Sequence, residues 1–382
     1  MVDRDELTGW LRLLLTPGVG NTSARRLMAS FGLPAAVFVQ SQASLREVVT
    51  PAQARALQQT PPELDVQLAT TVQWLDTIGA ASRSLITLGD ARYPSALLAM
   101  EDPPLLLYAL GRVDLWQADS TQNIAIVGSR NPTPQGEANA RQFGKACAQA
   151  GLTVVSGLAL GVDSAAHQGA LEGAVEAPDR LATIAVVGTG LDRVYPKRNL
   201  ALAHQIALHG LLLSEYPLGT PPLSANFPKR NRLIAGLTQG TLVIEAALQS
   251  GSLITARLAS EQGKEVFAIP GSIHSAQARG CHALIKQGAK LVENIEDVLD
   301  ELKLSKTPDL IAAHADTASA IGQNSTENPL LTALGYDPVG LDALVARTGI
   351  AASHLQVQLL ELELDNHVAR LPGGLFQRIA HT

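Results

Sequence analysis

The chain has 382 residues, of which 46% are hydrophobic and 17% charged, too apolar for an intrinsically disordered chain and too long for one ordinary domain of ~100–200 residues. No apolar run approaches the ~20 residues of a bilayer span, and two cysteines, Cys147 and Cys281, are too few for a disulfide framework or a four-ligand zinc site. The net charge of -6 speaks against a polyanionic partner until it is divided: Thr121 to Asp300 carries 15 Lys/Arg against 14 Asp/Glu, and the rest of the chain 14 against 21. An anion is therefore expected in the middle of the chain.

The first residues, MVDRDELTGW, begin with acids and lack a basic leader and cleavage site, so a reducing cytoplasm is expected. Up to residue 115 the pattern is helical, broken at Pro17, Pro34, Pro51, Pro61 and Pro62, and predicts an N-terminal helical domain. Its Gly18-Val19-Gly20 turn between two helical stretches gives it a SAM-like or helix-hairpin-helix-like character, in which backbone amides can approach a phosphate. A plain turn in a packed bundle would carry the same glycines.

Residues 116–302 alternate short apolar runs with helical stretches. NIAIVG, LTVVSG, TIAVVG, LLLSE, TLVIEA and EVFAIP, starting at residues 123, 152, 183, 211, 241 and 265, are continuously apolar, as strands covered on both faces are. They predict an α/β class: an extended Rossmann-like, doubly wound parallel sheet that binds its ligand at the carboxyl ends of the strands. Residues 303–327, rich in Ala, Ser, Thr and Asn, read as a linker. The order of helices and a turn-bearing pair over 328–382 predicts a C-terminal winged helix. Its recognition helix, Ala352 to His367, has no Lys or Arg and carries Glu361, Glu363 and Asp365, a poor match to phosphates.

Most enzyme signatures are missing. Gly144-Lys145 and Gly263-Lys264 lack the remaining residues of a Walker A loop, GTGLDR has Arg193 where a dinucleotide fingerprint needs its third Gly, and no G-x-S-x-G or H-E-x-x-H occurs. What remains is a set of small-residue loops. In Gly128-Ser129-Arg130 a hydroxyl and a guanidinium can grip an anion. In SGLALGVDSAAH, from Ser156 and Gly157 to His167, loop amides and a helix start could receive a second phosphate. For both loops a tight strand-to-helix turn accounts for the glycines equally well.

The most informative segment is NFPKRNRLIAGLT, Asn226 to Thr238. It places Lys229, Arg230 and Arg232 within four residues, beside Phe227 and without an acid. Cations hold phosphodiesters while a ring stacks on an unpaired base, which is how single strands are bound without sequence readout. A solvated charged face over a core Phe is the alternative.

IVGSRNPTPQG, VVSGLALGVDSAAHQGAL, the stretch from FPKRNRLIAG to EVFAIPG, and GCHALIKQGA together resemble the DNA-processing protein A family, DprA or Smf, of bacterial natural transformation, collinearly from about Asn123 to Asp300. The resemblance implies a non-catalytic homodimer without cofactor or metal that binds and protects single-stranded DNA and loads the RecA recombinase. It further implies that Ser129, Arg130, Ser156, Gly157, Phe227, Lys229, Arg230 and Asn231 line a DNA-backbone pocket. Val162 stands where the family often has Ile, and His282 where Asn is usual.

The rival function is a nucleoside-monophosphate N-glycosidase of the phosphoribohydrolase type. It needs a carboxylate in a Pro-Gly-Gly-x-Gly-Thr loop, and LQSGSLITA stands there instead. Asp163 and His167, four apart, have no third metal ligand in reach, so a local contact or N-terminal capping is expected of them. Glu245 is left either paired or facing the pocket. Both cysteines, and Trp10, Trp74 and Trp116, are expected to pack.

Overall fold

The computed structural model describes residues 3–117, 120, 122–303, 328–365, 367–371 and 373–379. Past Lys303, the linker expected over 303–327 lies outside them. In chain order the strands are β1 (Ser82–Thr87), β2 (Leu106–Gly111), β3 (Asn123–Val127), β4 (Thr153–Ser156), β5 (Thr183–Val186), β6 (Leu211–Ser214), β7 (Gly240–Val243), β8 (Glu265–Ala268), β9 (Lys290–Leu291), β10 (Val339–Gly340), β11 (Val368–Leu371) and β12 (Leu375–Arg378).

All six strands expected from the apolar runs form, as β3 to β8, and pair in parallel in the order β6-β5-β4-β3-β7-β8. Their continuous apolarity has the expected cause. Ala125 and Val127 are buried on one face of β3 with Val243 and Leu233, while Ile124 and Ile126 are buried on the other with Leu242 and Cys147. The order reverses between β3 and β7, and this switch point opens the crevice in which such sheets bind ligands.

Six helices precede the sheet: α1 (Arg4–Leu15), α2 (Asn21–Phe31), α3 (Pro34–Phe38), α4 (Gln42–Arg46), α5 (Pro51–Leu57) and α6 (Leu64–Leu75). The turn between α1 and α2 needs Gly18, whose φ of 77° lies in the left-handed region. The boundary expected at residue 115 requires correction, because the front part also supplies strands. β1 pairs antiparallel with β2, and β2 antiparallel with β6, so the hairpin extends the sheet. Leu-Leu-Leu-Tyr-Ala-Leu is helix-forming by composition. Caught between Pro104 and Gly111 it is too short for a stable helix, and its side chains find apolar neighbours on both faces.

The helices that follow are α7 (Ser95–Leu98), α8 (Pro134–Gln149), α9 (Val162–Gly173), α10 (Leu200–His209), α11 (Asn226–Gly236), α12 (Ser252–Glu261), α13 (Arg279–Lys286) and α14 (Ile295–Glu301). Cys147 and Cys281 are both fully buried. Helices Pro329–Leu334, Leu341–Thr348 and Ala352–Leu364 with the sheet β10-β12-β11 form the winged helix around Leu344, Leu355 and Leu359. Among the described residues no helix is long and apolar enough to cross a membrane.

Candidate functional site

β3 ends at Val127, and the next residues turn sharply at the switch point. Gly128 is required there, since a Cβ would stand 2.7 Å from Val162 Cγ2 and 2.9 Å from the Glu245 carbonyl. Val162 fills this contact. The Ser129 N–H donates to the Glu245 carbonyl at 2.7 Å, and the Asn131 N–H donates to Ser129 Oγ at 3.1 Å. This locked turn leaves Arg130 exposed, its Cζ 5.9 Å from the centroid of the Phe227 ring, at the outer limit of a cation–π contact. The loop is held from below by Glu245, whose carboxylate accepts from the Thr133 N–H at 2.9 Å and the Thr133 hydroxyl at 2.5 Å. Glu245 is thus paired; burial raises its pKa, against those two bonds.

The second loop is occupied by the protein's own acid. The amides of Gly157 and Ala159, expected to be open to a phosphate, donate to Asp163 Oδ2 at 3.1 and 3.3 Å. Asp163 sits at the second position of α9 and so supplies the negative charge that a helix start favours. Ser156 is fully buried, with its hydroxyl donating to the Ile126 carbonyl at 2.6 Å. His167 and Thr183 lie deeper. Because the Thr183 hydroxyl donates to the Val154 carbonyl at 2.6 Å, the 2.7 Å contact with His167 Nδ1 makes that nitrogen the donor. Burial, aided by Arg230, brings the His167 pKa down to about 3, so the imidazole is neutral. Among the described residues no cluster of His, Cys, Asp or Glu could hold a metal.

Helix α11 sorts its three cations by helical period. Asn226, Arg230, Leu233, Ile234 and Leu237 share the buried face, so Arg230 points inward and is only 4% exposed. Its Nη1 donates to the Gly157 carbonyl at 2.6 Å and to the Val186 carbonyl, tying α11 to the ends of β4 and β5. Gly157 leaves room for this, since a Cβ there would lie 2.5 Å from both terminal nitrogens. Burial lowers the Arg230 pKa to about 10, opposed by Asp163 and reinforced by Arg130. Burial likewise raises the Asp163 pKa, with Arg230 as the main opposing influence. Arg232 is neutralised by Glu215 and by Asp102, the latter at 3.1 Å. Lys229 projects into solvent.

These loops enclose a cavity of about 670 Å³ lined by Ser129, Arg130, Phe227, Arg230 and Asn231, with Asp163 its only acid. Of the eight residues singled out in the sequence, these five meet at the cavity. Ser156 and Gly157 stand behind it, where they orient Arg230 and the β4 end, and Lys229 stands outside the lining. The sequence reading missed Tyr195, 48% exposed, whose ring centroid is 5.6 Å from that of Phe227 at an interplanar angle of 34°. One signal was available: Tyr195-Pro-Lys-Arg-Asn and Phe227-Pro-Lys-Arg-Asn are the same motif twice. Exposed Lys197 and Arg198 follow the first ring as Lys229 follows the second. Also missed were Ser250, Gly251, Ser252 and Thr255, which bring the start of α12 into the lining. His282 bonds the Gly271 carbonyl through Nε2 at 2.9 Å, away from the cavity lining.

As expected for Gly157→Ala from this geometry, the added methyl displaces the Arg230 guanidinium. Thermal unfolding of that variant should show a loss of roughly 1–3 kcal/mol, the usual cost of overpacking.

Comparison with known proteins agrees with the architecture. The model of the family "DNA recombination-mediator protein A" matches residues 84–303, and that of the DprA winged helix domain matches residues 314–374. Protein Smf of Escherichia coli is 41% identical over 307 residues, covering 79% of this chain and 78% of that protein. DNA processing protein DprA of Streptococcus pneumoniae is 46% identical over 214 residues, covering 56% and 72%. The X-ray structure of DprA from Streptococcus pneumoniae superposes with a TM-score of 0.64 at 35% identity, covering 78% of this chain and 98% of that one. A Helicobacter pylori DNA processing protein A, described for its single-stranded DNA binding mode, gives 0.51 at 32% identity, covering 59% and 98%. With its parallel sheet, switch-point cavity and winged helix, the chain belongs to the DNA recombination-mediator protein A family.

Proposed function

We propose that this protein binds single-stranded DNA at the switch-point cavity, protects the incoming strand during natural transformation and delivers it to the RecA recombinase, without catalysing a reaction on it. The observation that carries the reading is the cavity's chemistry. Two guanidiniums, Arg130 and Arg230, share it with two adjoining rings, Phe227 and Tyr195, and its one acid is already committed to loop amides. Phosphates would meet Arg130, Lys229 and Lys197, and bases would stack on the rings. Arg230 serves by holding α11 in place and adding positive field from within. The RecA step rests on family membership, as does action in the cytoplasm, where two buried free thiols are at home. A homodimer through the Rossmann-like domain belongs to the same reading. Leu248 and Ile273, 61% and 75% exposed on that domain, are apolar surface that a second copy would cover.

The glycosidase reading is weaker because its requirements collide with the site. A mononucleotide phosphate at the amides of Gly157 and Ala159 would have to displace the Asp163 carboxylate, and Glu245 is engaged by Thr133. The test is binding of labelled dT oligomers, duplex and mononucleotides across salt concentration. Preference for the oligomer with a steep salt dependence supports the proposal; tight mononucleotide binding with turnover overturns it. A chain ending at Lys303 is expected to retain most of this affinity, and the isolated segment 328–382 to bind negligibly. Helix Ala352–Leu364 offers no cation and carries Glu361 and Glu363. Affinity that travels with the tail would place the site in the wrong domain.

A further inference from the structure

Helix Ala352–Leu364 of the winged helix holds six large apolar residues, Leu355, Val357, Leu359, Leu360, Leu362 and Leu364, twice what the domain's own core takes up. Leu355, Leu359 and Leu362 recur at i, i+4 and i+7 and are buried together with Leu334 and Leu344. Val357, Leu360 and Leu364 recur at i, i+3 and i+7 on the opposite side of the helix, where they are 57%, 55% and 74% exposed. A helix that is apolar on both sides is ordinarily covered on both, and an exposed apolar patch with a polar rim marks a place of interaction.

The charges around this second stripe indicate those of its partner. Glu361 borders it on one side, Gln356 and Glu363 border it on the other, and Asp365 closes the helix. These acids gather at the end where the helix dipole is negative, and no cation occupies the last turn. Neither glutamate takes part in an ion pair among the described residues. The domain's own arginines are engaged elsewhere. Arg347 donates to the Ala333 carbonyl at 3.0 Å, and Arg370 and Arg378 lie over the rings of Phe376 and Tyr336 at 5.9 and 5.0 Å. A cation from outside would relieve acids that the dipole disfavours.

The same acids repel duplex DNA and an anionic membrane. Two copies of this chain laid stripe against stripe would set Glu361 and Glu363 of one near those of the other. We propose that this face receives an amphipathic helix of a partner protein, one whose apolar stripe is flanked by Lys or Arg. The docking is helix against helix. Val357, Leu360 and Leu364 interdigitate with apolar residues spaced at i, i+3 or i+4, and i+7 on the partner, and Glu361 and Glu363 pair with cations at its edges. None of these residues lines the switch-point cavity, so a partner here does not compete for the residues proposed to hold the strand.

The experiment uses the full chain and a labelled synthetic peptide with leucine at i, i+3 and i+7, lysine at the flanking positions and alanine elsewhere. A scrambled peptide of the same composition is the control, and the striped one is expected to bind roughly tenfold more tightly or better. Leu360→Gln with Leu364→Gln is expected to lower that affinity by roughly tenfold or more, the order of losing one buried leucine. Both side chains are exposed, so thermal stability should stay within about 0.5 kcal/mol of the parent. Leu360→Met with Leu364→Met, which keeps the stripe apolar, is expected to stay within about threefold. Glu361→Lys with Glu363→Lys is expected to lower peptide affinity by roughly tenfold or more through like charges across the interface. Its thermal stability should hold or rise, because cations suit that helix end. Affinity for a dT oligomer should be the same in the Leu360→Gln, Leu364→Gln variant as in the parent, which separates failure here from failure of the single-strand reading. Equal binding of the two peptides, or striped-peptide binding that survives both the glutamine and the lysine substitutions, overturns the assignment. Self-association read by sedimentation equilibrium, or duplex binding read by anisotropy, overturns it as well if Leu360→Gln with Leu364→Gln removes it, since the face would then have a different occupant.

Discussion

Glutamate at Arg130 and Lys229 together is expected to lower the affinity for a dT oligomer by roughly a hundredfold or more. Each charge-assisted hydrogen bond contributes about 1.5–3 kcal/mol, and the new carboxylates repel the strand in addition. With two phosphates no longer neutralised, the slope of log K against log salt should shrink by about 1.4, at ~0.7 per phosphate for single strands. Both side chains are exposed, and neither takes part in an ion pair among the described residues. Stability should therefore change by no more than about 0.5 kcal/mol. The decisive measurement is fluorescence anisotropy over a salt series with circular dichroism as the folding control. A folded double variant with parental affinity would remove both residues from the interface.

Arg230→Ala should behave in the opposite manner, as a stability variant first. It removes the donor to the Gly157 and Val186 carbonyls and leaves Asp163 buried without its main cationic neighbour. Hydrogen bonds from a charged group contribute about 1.5–3 kcal/mol each, so a loss of that order or more is expected, readable by urea denaturation. The pH dependence follows from the sign of the Asp163 shift. Its pKa is raised in the folded state by burial, and losing Arg230 raises it further, so the folded variant binds more protons than the unfolded chain. Stability associated with this group is present at low pH and is lost as pH rises through the folded pKa. The deficit of Arg230→Ala relative to the parent should consequently be smaller near pH 4 than near pH 7. Exchanging Asp163 as well, in Asp163→Asn with Arg230→Ala, should cost less than the sum of the single changes. Strict additivity would mean that the two groups do not sense each other.

The contrast between Lys229 and Arg230, neighbours in one basic run, marks how far the sequence could be read. The strands were legible because a run such as Asn123-Ile-Ala-Ile-Val has one physical meaning when both faces of a sheet are covered. Phe227 and the cations beside it were legible as a group because no acid interrupts them. Their division into rim and interior was not. It follows from Leu233, Ile234 and Leu237, which fix the inward face of α11 and carry Arg230 with them. A cation is normally assigned to solvent unless its counter-groups are known, and here these are carbonyls at the ends of two other strands. In the same way, Ser156-Gly-Leu-Ala-Leu-Gly looks like an anion loop until the backbone brings Asp163 back onto its amides. Strands β1 and β2 escaped for another reason, since the residues of β2 suit a helix by propensity and form a strand on the edge that β6 offers, while β1 joins the sheet only through β2.

That edge pairing has a mechanical consequence for the front of the molecule. Leu106 and Tyr108 of β2 are buried together with Trp10, Leu11 and Leu13 of α1, while Leu107 and Ala109 are buried together with Leu233 and Ile234 of α11. A single strand therefore has the N-terminal helices on one side and the helix of Phe227 and Lys229 on the other, and Asp102 adds a rivet to Arg232. The N-terminal helices cannot swing as an arm. Whatever the Gly18-Val19-Gly20 turn meets is held at a set distance and angle from the cavity, as if both were cut into one rigid block.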